Sequence, residues 1–223
     1  MGLLKSLVQE VLGRGKRPEQ AASPVQQRAD ELARLGDEAL SQGQLDAAES
    51  HYRGALAAKP EHARAQEGLG LTLLQLRRLD EAFLHLEMAH KLDPMNAEIL
   101  IHWGLVDLEL GNYELASRRF GRAIERAPVN PHAWLNLGIA SFKLGQFSVS
   151  VGQLEKAVEL KPSMSLAWSN LALAKRQSED LEGALNAARR AIDLRPSQSR
   201  LWVILGDLQA DAGDFDSADR SFD

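Results

Sequence analysis

"PHAWLNLGIASFKLGQFSVSVGQLEKAVELKPSM", residues 131–164, reads as two short helices joined back to back. Trp134 and Leu137 open a helical apolar stripe, Gly145 interrupts it, Phe147 restarts it and Pro162 stops it. What decides the fold is that this stretch recurs. Pro60, Pro94, Pro128, Pro162 and Pro196 follow one another at intervals of 34 residues. Counting each proline as position 32 starts the units at Ala29, Ala63, Ala97, Pro131, Ser165 and Ser199. Position 8 then reads Gly36, Gly70, Gly104, Gly138, Ala172 and Gly206, and position 20 reads Ala48, Ala82, Ala116, Ser150, Ala184 and Ala218. Ala55, Ala89, Ala123, Ala157 and Ala191 share position 27, and Trp134, Trp168 and Trp202 share position 4. Agreement in so many registers marks an internal repeat.

Each unit has the physics of a helix pair. Apolar residues are expected at positions 4, 7, 11 and 14 of the first helix, which form one face at 3.6 residues per turn. Gly43, Gly111, Gly145 and Gly213 occupy position 15 and end that helix, since glycine adopts φ > 0 freely. An apolar residue at position 17 opens the second helix, and the proline closes it. Small residues at positions 8, 20 and 27 permit close helix contact. One pair cannot bury its apolar face alone, so the units must stack.

Composition narrows the function. Alanine, leucine, glutamate, glutamine and arginine dominate, which favours an all-helical chain. The absence of cysteine excludes disulfides, zinc knuckles and thiol catalysis, and suits a cytoplasmic protein. A net charge of −5 argues against nucleic-acid binding by counterion release. No apolar run approaches the roughly 18 residues needed to span a bilayer. The six histidines show no metal-ligand spacing, and the glycines form no phosphate loop. Glu179 with Asp180, and Asp214 with Asp216, read as solvated helix caps. No cofactor, metal site or convergent catalytic set is expected, so the chain reads as non-catalytic.

The repeat resembles that of the tetratricopeptide repeat (TPR) family, and the resemblance covers residues 29–223. It implies an all-α, right-handed superhelical solenoid of helix-turn-helix units whose first helices line a concave groove for partner peptides. The departures are Arg77 and Glu179 at position 15, Ser150 at position 20 and Ala188 at position 24. A chaperone-type carboxylate clamp would need lysine at position 5 and asparagine at position 9 of one repeat, and no repeat has either. The chain accordingly divides into an amphipathic helix at 1–13, a linker at 14–23 and a repeat domain at 24–223. That domain holds five complete repeats (29–62, 63–96, 97–130, 131–164 and 165–198) and a truncated sixth (199–223).

Candidate binding residues follow from helical geometry. Position 6 lies across the first helix from the core stripe, so Asn136 and Asn170 point into the groove. Consecutive asparagines there resemble the ladder of the O-linked N-acetylglucosamine transferase superhelix, which holds extended peptides by their backbone. An amide both donates and accepts, and so pairs with any peptide unit. The alternative reading is that asparagine is simply common at this position. His102 and His132 are expected to face the same groove. Position 9 is apolar in the middle repeats (Leu71, Leu105, Ile139, Leu173), and Phe142 lies nearby at position 12, which suggests an apolar groove floor.

Residues 1–28 carry five basic and two acidic side chains, a net +3 against −8 for the remainder. Leu3, Leu4, Leu7, Val8, Val11 and Leu12 follow an amphipathic spacing, so residues 3–12 suit either peripheral contact with an anionic membrane or docking on protein. "MGLLKS" also matches a loose myristoylation pattern. Ser23, Pro24 and Gln26 are expected at the N-cap, N1 and N3 positions of the first repeat helix. The sequence stops at position 25 of the sixth repeat, which is expected of a fragment of a longer chain or of a face used for self-association. The leading expectation is an adaptor or scaffold that binds protein or peptide segments. The alternatives are the recognition arm of a larger enzyme such as a glycosyltransferase, and a membrane-associated organising scaffold.

Overall fold

The structure, a computed structural model, describes residues 23–222, so the expected leader helix and its membrane contact lie outside the described residues. Twelve helices form six antiparallel pairs, with no strand among the described residues. They are α1 (Pro24–Ser41) with α2 (Leu45–Ala58), α3 (Ala63–Gln75) with α4 (Leu79–Leu92), and α5 (Ala97–Glu109) with α6 (Tyr113–Arg126). Then come α7 (Pro131–Lys143) with α8 (Phe147–Leu160), α9 (Ser165–Gln177) with α10 (Leu181–Leu194), and α11 (Ser199–Asp211) with α12 (Phe215–Phe222). Pro24 sits in the first turn of α1, and the Ser23 hydroxyl accepts the Gln26 amide at 3.1 Å.

Each helix packs on the one before it, and each first helix also packs on the first helix of the next repeat. Second helices of neighbouring repeats do not meet in this way. Closer first helices and splayed second helices bend the stack, which puts α1, α3, α5, α7, α9 and α11 on the inner side. The core runs the length of the stack in three clusters, centred on Tyr52 and Leu86, on Phe120, and on Leu154 and Leu171.

Position 8 explains how tightly a pair closes. A Cβ placed on Gly138 would lie 2.6 Å from Leu154 Cγ, far inside van der Waals contact. In the fifth repeat the small residue at position 24, Ala188, leaves room, and position 8 there is Ala172; both are buried. Loss of volume on one helix is matched by its gain on the other, so this departure is compensated. At Ser150 the hydroxyl donates to Gly138 O at 2.7 Å, which satisfies a buried polar group where alanine was expected.

One expectation needs correction. Position 11 is apolar only in the first two repeats, at Ala39 and Leu73. Asp107 and Ser141 occupy it next and are buried, and Lys175 follows. Two of the three have charged partners: Asp107 meets Arg119, and half-buried Lys175 reaches Glu155 at 3.0 Å and Asp180 at 2.9 Å. The helix turns also hold where glycine is missing. Arg77 and Glu179 adopt φ of 62° and 63°, beside 72° to 79° for the four glycines. Stacking therefore imposes the left-handed turn even on residues with a Cβ, at a cost of about 1–2 kcal/mol each.

Candidate functional site: the concave groove

The two candidate amides sit on the inner helices α7 and α9. Asn136 is half-buried on α7 and has no hydrogen-bond partner among the described residues. Asn170, in the same register on α9, differs, because its Nδ2 donates to Leu166 O one turn back at 2.7 Å. One donor of Asn170 is thus already engaged within its own helix. Its carbonyl oxygen makes no hydrogen bond among the described residues. A shared register places the two side chains at equivalent points on consecutive inner helices.

His102, the position-6 residue of the third repeat, is tied to its neighbour: Nδ1 lies 2.9 Å from Glu67 Oε1 on α3. His132 is exposed near the start of α7 and lines a hollow of about 340 Å³. Leu135, Met164 and Leu166 give that hollow an apolar side, while Lys161, Arg195 and several serines give it a polar one. Leu166 is 58% exposed, the most accessible large apolar side chain there. The hollow shares α7 and α9 with the two asparagines. Sequence reasoning passed over it because its walls come from both ends of two neighbouring repeats, and no single register names them.

The apolar floor is shallower than expected. Leu105, Ile139, Leu173 and Phe142 are half-buried and pack against the core clusters, and Leu71 is likewise half-buried. Their inner edges belong to the core, and only the remainder is open to solvent. Position 5 is absorbed between neighbouring first helices, with Ile101 and Leu135 each 3% exposed. Three tryptophans stiffen the inner helices in a way the sequence did not announce. The indole Nε1 of Trp134, Trp168 and Trp202 donates at 2.8 Å to the carbonyls of Pro128, Pro162 and Pro196 respectively. Each bond staples a first helix to the loop that precedes it. Among the described residues no group of His, Asp and Glu is placed to hold a metal ion, and no helix is long and apolar enough to cross a membrane.

Six stacked helix pairs with an inner groove define an α-solenoid repeat protein. A model of the tetratricopeptide repeat matches residues 33–97, 102–165 and 169–218, and the chain belongs to that family of protein-interaction modules. No curated protein matches it in sequence. Its fold is similar to that of PilW, described as a widely conserved type IV pilus biogenesis factor. The TM-score is 0.81 and the identity 21%, covering 86% of this chain and 90% of the other. Pseudomonas aeruginosa PilF gives a TM-score of 0.78 at 21% identity, covering 88% and 90%. YrrB, described as a TPR protein with an unusual peptide-binding site, gives 0.62 at 22%, covering 86% and 99%. At these identities the likeness shows the fold.

Proposed function

We propose that the protein is a non-catalytic adaptor whose concave groove holds an extended segment of a partner protein across α7 and α9. The observation that carries this reading is Asn136, a half-buried amide with no partner among the described residues, repeated one unit later by Asn170. Amides spaced along consecutive inner helices can pair with successive peptide groups whatever the side chains between them. The hollow beside them, apolar at Leu166 and polar at Lys161 and Arg195, would then take a side chain of the segment. Half-exposed Leu105, Ile139 and Leu173 add apolar contact along the same path. YrrB, a TPR protein of similar fold, is described as having a peptide-binding site, which supports peptide binding on such a scaffold.

The test is calorimetry with peptides selected from a random display library against the full chain. Changing Asn136 and Asn170 together to alanine should weaken binding by roughly 5- to 150-fold, for two lost hydrogen bonds at about 0.5–1.5 kcal/mol each. Leu105→Asp with Ile139→Asp should weaken it further. Unchanged affinity in both double variants, at unchanged helicity, would put the binding site elsewhere.

A further inference from the structure

Arginines without a carboxylate partner occur at several places, Arg189, Arg195 and Arg200 among them, but among the described residues a row of three on one helix face occurs on α6 alone. Arg34, Arg53, Arg64, Arg77, Arg78 and Arg176 each face a carboxylate. Arg118, Arg122 and Arg126 on α6 form no ion pair or hydrogen bond among the described residues. They follow one another at i, i+4 and i+8, so they lie in a row on one face of the helix, about 12 Å long. α6 is a second helix, on the outer side of the stack. The matching face of α4, 34 residues earlier in the sequence, carries Leu84 opposite Arg118 in register and Met88 opposite Arg122. These two apolar side chains are 63% and 40% exposed, and Leu115 is exposed at the near end of the row.

The inner edge of this patch is unsatisfied. Arg126 Nη1 and His90 Nδ1, from α6 and α4, are shielded from solvent and have no hydrogen-bond partner. Burial, then Arg122, Arg126 and Arg119, hold the His90 imidazole below its usual range, with Asp93 opposing them only in part. A basic residue in the last turn of α6 favours the helix dipole, which accounts for Arg126. It does not account for Arg118 and Arg122.

We propose that this convex patch docks an acidic, amphipathic protein segment. Its carboxylates would pair with Arg118, Arg122 and Arg126, and its apolar side chains would cover Leu84, Met88 and Leu115. A protein segment fits better than an anionic membrane because Glu87, Glu114 and Glu125 stand on the same two helices and the chain is net −5. A flat anionic surface would lie against Glu114, one turn before Arg118, and Glu125, beside Arg122, whereas a segment of defined sequence can set its carboxylates on the arginines and turn neutral or basic side chains to those glutamates. The surface lies on the side opposite the groove, so both can be filled at once.

Fluorescence anisotropy of the full chain would test this with a labelled helix-forming peptide bearing glutamates at i, i+4 and i+8 beside a leucine stripe. Saturable binding is expected, weakened about tenfold by Arg118→Glu with Arg122→Glu and by added salt. A peptide with lysine for glutamate should not bind. Both arginines are exposed, so the variants should melt with the parent, and Arg118→Gln with Arg122→Gln provides a milder check. Asn136→Ala with Asn170→Ala should leave this peptide's affinity unchanged, which separates the patch from the groove. Absent binding, equal binding of the lysine peptide, or equal affinity in the arginine variants would overturn the proposal. So would arginine-dependent capture of phosphatidylserine vesicles in place of the peptide.

Discussion

At the scale of single residues, the repeat registers made most positions legible, and the exceptions are residues whose partners lie in another register. Asp107 is the clearest case. It is fully buried where an apolar residue was expected, and its carboxylate lies 2.6 Å from Arg119 Nε, whose guanidinium stacks 3.5 Å from the Trp103 ring centroid. The approach is off the N–H direction, so the contact is an ion pair more than a directed hydrogen bond. Burial pushes the Asp107 carboxyl up and the Arg119 guanidinium down, each partly offset by the other. Arg119→Met would strand the carboxylate and should cost about 3–5 kcal/mol at neutral pH. The sign of its pH dependence follows from the raised folded-state value. Protonation removes the stranded charge, so the deficit relative to the parent should shrink as pH falls toward 4 and grow again as it rises, measured by urea denaturation. A deficit independent of pH would mean that lost packing, and not charge, sets the cost. Glu179 is the opposite case, a departure visible in sequence whose consequence was not. Its left-handed backbone predicts that Glu179→Gly stabilises the chain by about 0.5–1 kcal/mol in thermal melts. Destabilisation would contradict the strain.

At the scale of elements, helix boundaries were legible because proline and the position-15 turn recur at fixed offsets. How the helices begin was only partly so. Ser23 was readable as a cap, but His62 was not: its Nδ1 accepts the Ala65 amide at 3.1 Å while Nε2 lies 2.8 Å from Asp30. Asn130 caps α7 through the amides of His132 and Ala133 and donates to Glu98 on α5. The tryptophan staples are equally invisible from spacing, since position 4 reads as plain core and the carbonyl partner belongs to the preceding loop. Trp168→Phe keeps the ring and removes the donor, so it should cost about 0.5–1.5 kcal/mol and loosen the junction before α9. Faster amide exchange confined to residues 163–168 would support this. Unchanged stability and exchange would show that the staple contributes nothing.

At the scale of the whole molecule, a 34-residue period is sufficient to derive a solenoid, because nearest-neighbour stacking is the one way such units bury their faces. The groove was harder to read. A helical wheel gives direction but not depth, so Leu105 and Ile139 looked like open floor until the neighbouring helix was seen to cover part of them. The amides were legible in register and illegible in state, since the Asn170 bond to Leu166 O is a local choice of rotamer. The central claim is that Asn136 and Asn170 engage a bound segment. The most direct measurement is the side-chain amide resonances of ¹⁵N-labelled protein during titration with a display-selected peptide. The account predicts that the Asn136 side-chain amide shifts strongly and exchanges more slowly at saturation, with Asn170 shifting as its local bond is replaced or joined. Saturable binding that leaves both side-chain amides unmoved, with shifts gathered on the second helices, would contradict it.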